Sequence, residues 1–187
     1  MVVTGKIILK SGRDASLKRF HPWVFSGGVQ KKEGRTEDGD WVEVTDSRGE
    51  PLGFGHYQNG SIAVRVLHMG REIPTDDFYA RKIKIAFNLR QHAGVISERT
   101  NSYRLVHGEG DGLPALIVDV YNRVAVMQSH SEGIHRDRQM IAQAIAESIA
   151  VDSVFYKSQS GQQAEYLFGS AVTPVEILEH GKKFLVD

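Results

Sequence analysis

Apolar and polar residues alternate with period two through the first third of the chain. Val42 and Val44 alternate with Glu43 and Thr45, and Ile62, Val64 and Val66 alternate with Ala63, Arg65 and Leu67. That spacing predicts short strands with one buried face. Asn59-Gly60 lies between such runs and predicts a tight hairpin, because both central residues of a type I′ turn need positive φ. Residues 14–20 can form one short helix that brings Lys18 and Arg19 to the rim of a small barrel beside Trp23. The pattern changes at Pro74-Thr75-Asp76-Asp77, where Thr75 is the expected N-cap and the two acids suit a helix N-terminus. From Phe78 to about Ser97 the apolar positions Tyr79, Ile83, Ala86, Phe87 and Ala93 follow a helical period. Strands are expected at residues 103–106, 115–121, 124–129 and 153–157, a second helix at 134–150, and a final pair at 175–178 and 183–186 around His180-Gly181. The fold class is therefore α+β: a small β-barrel over residues 1–72, then over residues 73–187 a domain of mainly antiparallel strands with two helices.

Composition changes this picture little. Hydrophobic residues make up 41% of the chain and charged residues 25%, as in ordinary globular proteins. No apolar run reaches membrane-spanning length and no basic-then-apolar leader is visible, so a cytoplasmic location and no membrane partner are expected. With zero cysteines there are no disulfides, no thiolate zinc ligands and no cysteine nucleophile. The net charge is zero, yet residues 1–35 carry eight Lys and Arg against only Asp14 and Glu33. A local positive field of that kind attracts polyanions, although scattered surface charge gives the same count.

The candidate chemistry is concentrated at Phe20-His21-Pro22-Trp23-Val24-Phe25-Ser26-Gly27-Gly28-Val29. A tryptophan and two phenylalanines among glycines, next to Arg13, Lys18, Arg19 and His21, combine stacking surfaces for bases with charge for phosphates. Buried aromatics beside a solvated basic turn are the alternative. The candidate RNA-binding set is Arg13, Lys18, Arg19, His21 and Trp23, with Arg65 added from the third strand run. Further on, His107-Gly108-Glu109-Gly110-Asp111-Gly112 looks like a glycine-rich cofactor loop, but residues 115–120 read as a strand where such a loop needs a helix. A tight turn between antiparallel strands is the better account. It is expected to expose Glu109 and Asp111 beside Arg104 and His107, as an interdomain or RNA-facing turn or as a soluble surface. A small hydrolase or lyase using His107, Glu109 and Asp111 is the competing class. Of the eight histidines, His130 and His135 lie five apart with no third ligand in view, so no metal site is assigned. Ser160 lacks the preceding glycine of a nucleophile elbow. No RNA contact is assigned to Gln159, Gln162, Gln163 and Glu165. No catalytic or cofactor-binding residue is assigned anywhere in the chain.

The spaced set Gly39–Val44, Gly49–Tyr57 and Ile62–Leu67 resembles a PUA domain, a small β-barrel RNA-binding module. Tyr103–Pro114 and the terminal Glu179–Asp187 resemble the middle region of one PUA-containing family, the S-adenosylmethionine-dependent large-subunit ribosomal RNA cytosine methyltransferases of the RlmI type. The resemblance covers nearly the whole chain but only about the first half of a member. It implies ribosomal RNA as partner, a PUA-like domain over residues 1–72 and a central domain over 73–187 that precedes a catalytic methyltransferase domain. It also implies S-adenosylmethionine as the cofactor of a full-length relative, with none held by this chain. Making 5-methylcytosine needs a nucleophile at carbon 6, and members look to use a cysteine thiolate that this chain lacks. The expectation is a substrate-recognising N-terminal region, inactive alone, with the C-terminal catalytic domain as its missing partner. A self-sufficient RNA-binding adaptor is the alternative, and a homodimer stays open.

Overall fold

In the computed structural model, which describes residues 1–158, 164–171 and 173–187, the chain forms two compact units. Residues 1–76 with 131–136 make the first, and residues 77–130 with 137–187 the second. Ser160, Gln159, Gln162 and Gln163 lie outside the described residues.

The strands of the first unit are β1 (Val3–Leu9), β2 (Trp23–Phe25), β3 (Val29–Gly34), β4 (Trp41–Thr45), β5 (Pro51–Tyr57) and β6 (Ile62–Met69). They form one curled half-barrel sheet in the order β2-β6-β5-β4-β1-β3, antiparallel except where β1 runs parallel to β4. Its core is Ile7, Leu9, Leu17, Val24, Val42, Val44, Val64 and Val66, so the alternating valines of the sequence are the core-facing ones. Ala63 and Leu67 are buried as well, so both faces of β6 are covered. Residues 14–20 hold only a 3-10 turn at Leu17–Arg19.

In the second unit, β7 (Ser102–His107), β8 (Leu116–Tyr121), β9 (Val124–Ser129), β10 (Ser153–Ser158) and β11 (Glu165–Gly169) form a five-stranded sheet in the order β11-β10-β9-β8-β7. All pairs are antiparallel except β9 with β10, which are joined by a helical crossover. Helices α1 (Phe78–His92) and α3 (Arg138–Ser148) pack on each other, and Tyr79, Ile83, Ile141 and Ile145 are wholly buried with Leu116, Val118 and Met127. A separate hairpin, β12 (Val175–Glu179) with β13 (Lys182–Val186), turns at His180-Gly181. No described helix is long and apolar enough to cross a membrane.

Several expectations change. The expected helix over 134–150 is broken at Asp137 into α2 (Glu132–Arg136) and α3. The first piece packs with the first unit and the second with the second, and the Asp137 carboxylate accepts a 2.6 Å hydrogen bond from the buried Tyr79 hydroxyl. Helix α1 is preceded by Asp77, not Thr75, with no side-chain cap, and it ends at His92 in a Schellman closure around Gly94. The β5–β6 hairpin forms, but neither Asn59 nor Gly60 takes positive φ, so it is not a type I′ turn. The positive-φ pair sits instead at His180 (51°) and Gly181 (80°), where the loop is two residues long. β11 was not expected at all. Its residues Glu165-Tyr166-Leu167-Phe168-Gly169 place three apolar residues in a row with no period-two alternation to mark a strand, and as an edge strand it leaves Tyr166 and Phe168 more than a third exposed.

Gly133 of α2 lies against His56, whose ring also stands edge-on to Trp41 at 4.6 Å. A Cβ at Gly133 would fall 2.1 Å from His56 Cγ. Replacing glycine by alanine inside a helix normally stabilises by about 1 kcal/mol. Here the overlap with a buried ring outweighs that gain, and Gly133→Ala is expected to destabilise the first unit by about 1–3 kcal/mol. Urea unfolding followed by tryptophan fluorescence checks this, and an unchanged or higher midpoint would refute the contact.

Candidate nucleic-acid interface

The pleat of β2 buries Val24 at 4% exposure and turns Trp23 and Phe25 to its other side. His21, Trp23 and Phe25 then meet, with His21–Trp23 ring centroids 5.5 Å apart, His21–Phe25 at 6.4 Å and Trp23–Phe25 at 6.1 Å. His21 Nδ1 accepts a 3.3 Å hydrogen bond from the Trp23 amide, which sets the ring over the strand. Phe25 is half exposed, and Phe20, just before this group, is 80% exposed.

Cations surround these rings. The turn after β1 carries Arg13, which shares with Trp23 and Phe25 a cleft of about 120 Å³ that Ser16 and Gly28 also line. Lys10 Nζ donates to the Gly27 carbonyl at 2.9 Å. In the 3-10 turn Leu17 is buried, while Lys18 and Arg19 are exposed. Lys18 pairs with Asp14, and that hydrogen bond raises its pKa and keeps it cationic. Arg13 and Arg19 make no side-chain ion pair among the described residues. Arg65 stands opposite Trp23 in the β2–β6 register and donates to Gln58 Oε1 at 3.0 Å. Arg13, Trp23 and Arg65 thus come together through the cleft and the strand register, and Lys18, Arg19 and His21 lie on the short segment between β1 and β2.

The second predicted set divides. Residues 108–111 form a 3-10 turn between the antiparallel strands β7 and β8. Arg104 makes a two-pronged pair with Asp119 across that hairpin, at 2.8 and 3.1 Å, and lies 3.4 Å from His107 Nδ1. Glu109 is exposed. Asp111 is not: only 4% of its side chain reaches solvent, because both oxygens are held by Arg90 of α1 and the His107 amide donates to Oδ2 at 2.6 Å. Burial works to raise its pKa, and the Arg90 and His107 bonds overcome this and hold it below the usual carboxylate value. Asp111 is therefore a structural anion that ties the turn to α1. The partners Arg90 and Asp119 carry no motif, since each lies 15 or 21 residues from the group it pairs with. Phe25 was legible, because its i, i+2 spacing from Trp23 puts both on one strand face. The turn also leads into a strand with no helix behind it, so the geometry does not fit a nucleoside cofactor.

Residues 7–69 match the family described as PUA-like domain, which spans β1 to β6. The first unit is thus similar to PUA-like domains in sequence over these residues, and its curled sheet is consistent with that fold. Over nearly its whole length the chain is also similar to proteins named ribosomal RNA large subunit methyltransferase I. It is 33% identical over 195 residues to that of Alteromonas mediterranea and 34% over 196 residues to that of Erwinia tasmaniensis, in both cases covering 99% of this chain and 49% of the relative. The chain thus spans about half the length of the curated relatives it matches. A solved putative SAM-dependent methyltransferase from Streptococcus mutans shares the fold, with a TM-score of 0.79 at 17% identity over all of this chain and 49% of that one. A second, a putative methyltransferase complexed with SAH, superposes equally well. The PUA-like first unit carries the aromatic and basic residues described above, whereas the Arg90–Asp111 pair lies in the second unit.

Asp111→Asn leaves Arg90 partly buried without its counter-charge and is expected to cost roughly 3 kcal/mol of stability. Because the folded-state pKa of Asp111 is depressed, its contribution is complete above the unfolded value near 3.8 and is lost as pH falls below it. Chemical unfolding at pH 7 and at pH 3 should therefore show a large Asp111→Asn penalty at neutral pH that shrinks in acid. An equal penalty at both pH values would contradict the ion-pair assignment.

Proposed function

We propose that this chain is the RNA-binding, substrate-positioning N-terminal region of an S-adenosylmethionine-dependent ribosomal RNA (cytosine-5) methyltransferase, and that it transfers no methyl group by itself. The observation that carries the reading is the open aromatic and basic face of the PUA-like domain, in a chain that covers about half of relatives named for ribosomal RNA methylation. In this reading residues 1–72 bind ribosomal RNA in the cytoplasm. Residues 73–187 join that module to the methyl-transferring half, with the turn bearing Arg104, His107 and Glu109 facing RNA or the neighbouring domain.

The chemistry divides between charge and stacking. Arg13, Lys18 and Arg19 neutralise phosphates, which supplies most of the affinity and fixes orientation without reading sequence. His21, Trp23 and Phe25 offer ring faces to unpaired bases, and Arg65 lies next to them in register. The module contributes to methylation by positioning: a target held in one orientation converts a rare encounter into an effectively unimolecular step. S-adenosylmethionine would bring the methyl group in the remaining half, and no residue of this chain is assigned to hold it. The absence of any cysteine leaves this chain without the thiol that the carbon-6 route calls for.

Binding to a ribosomal RNA fragment is expected to weaken steeply with salt. Replacing Arg13, Lys18 and Arg19 together should flatten the log-log slope by about 2 to 3, at roughly 0.7–0.9 per phosphate contact. Fluorescence anisotropy between low and moderate salt measures it, and a salt-independent affinity of the unmodified chain would overturn the reading. Titration calorimetry of the chain with S-adenosylmethionine is expected to give no binding heat. A micromolar isotherm would show that a cofactor site exists in this half.

A further inference from the structure

Phe20 occupies the position that follows the 3-10 turn, with φ 63° and ψ 21° in the left-handed region. Its amide donates to the Leu17 carbonyl at 2.8 Å, and the next amide, His21, donates to Ser16 at 3.0 Å, so the backbone is held there from both sides. Glycine enters this region freely, but a bulky aromatic residue rarely does. Burial could offset the strain, yet the ring is 80% exposed and makes no ring contact among the described residues. At this position the phenylalanine therefore aids neither folding nor solubility. Strained backbone of this kind concentrates where a side chain must be presented to a ligand.

The surroundings identify the ligand's chemistry. Arg19 precedes the ring directly and Arg13 lies on the neighbouring turn, both without an ion pair among the described residues. His21, Trp23 and Phe25 follow within five residues. Flat apolar faces beside uncommitted cations fit an unpaired nucleobase flanked by phosphates better than an apolar protein surface, which would leave the guanidinium groups facing it without counter-charge. Resting on the RNA-binding reading above, we infer that Phe20 is a stacking residue for an unpaired base, and that the PUA-like domain prefers RNA with a single-stranded loop to a continuous duplex. A paired base offers only its edge in a groove, whereas a looped base offers a free π face.

The test compares the full chain with Phe20→Gly, Phe20→Trp and the Arg13/Lys18/Arg19 triple variant. Each is titrated by anisotropy at fixed low salt with an RNA hairpin carrying an unpaired loop and with a fully paired RNA duplex of equal length. Phe20→Gly should bind the hairpin roughly 5- to 150-fold more weakly and the duplex unchanged. It should also melt at a higher temperature, since glycine relieves the backbone strain. Phe20→Trp should retain hairpin binding. Unchanged hairpin affinity of Phe20→Gly, alongside loss in the triple variant, would overturn the stacking role and leave the RNA reading standing. A lower melting temperature for Phe20→Gly would show that the ring serves the fold and would also overturn it. If the unmodified chain binds neither RNA, both proposals fail.

Discussion

The candidate interface depends on two small apolar anchors, Leu17 and Val24. Both belong to the core that Ile7, Leu9, Val42, Val44, Val64 and Val66 complete. Burying Leu17 leaves Lys18, Arg19 and Phe20 no direction but outward, and burying Val24 in a pleated strand sends Trp23 and Phe25 to the opposite side. A hydrophobic driving force of about 25 cal/mol per Å² at two aliphatic side chains thus positions the charges, the half-buried Trp23 and the exposed rings of Phe20 and Phe25. The surface is arranged by what lies beneath it.

Charge plays a different part in the second unit. Asp111 sits in a glycine-rich turn where an exposed acid would suggest ligand chemistry, yet it is consumed by Arg90 and the His107 amide. Burying a carboxylate alone would be prohibitive, and the paired guanidinium makes it tolerable while fixing one geometry of the turn on α1. Arg104 is likewise committed to Asp119. That leaves His107 and Glu109 as the groups of this turn nearest to solvent, and it removes the matched acid pair on which a hydrolase or lyase reading would rest.

Turn chemistry shows how far local sequence reaches. Asn59-Gly60 and His180-Gly181 are both dipeptides suited to positive φ, but only the second adopts it. The β12–β13 pair closes directly across two residues, so the turn must supply all the chain reversal. The β5–β6 pair instead closes between Gln58 and Ala63, and the longer loop relieves the demand. The helix break at Asp137 has a similar origin: apolar period alone reads through residues 134–150, because Ile134, Ile141 and Ile145 are all buried, though in different units.

The sequence by itself determined the α+β class, most strand positions, the PUA-like character of the first unit and the segment in which its aromatic and basic residues gather. The PUA-like character came from the resemblance of its spaced motifs; the rest follows from period, turn residues and local composition, all of which act within a few residues. Only the tertiary structure decided which residues of that segment are open and which are spent. The Arg90–Asp111 and Arg104–Asp119 pairs, the seat of Gly133 on His56 and the outward Phe20 ring depend on partners distant in the chain or on backbone angles. Such contacts form because packing brings separate elements within a few ångströms, and no local pattern records them.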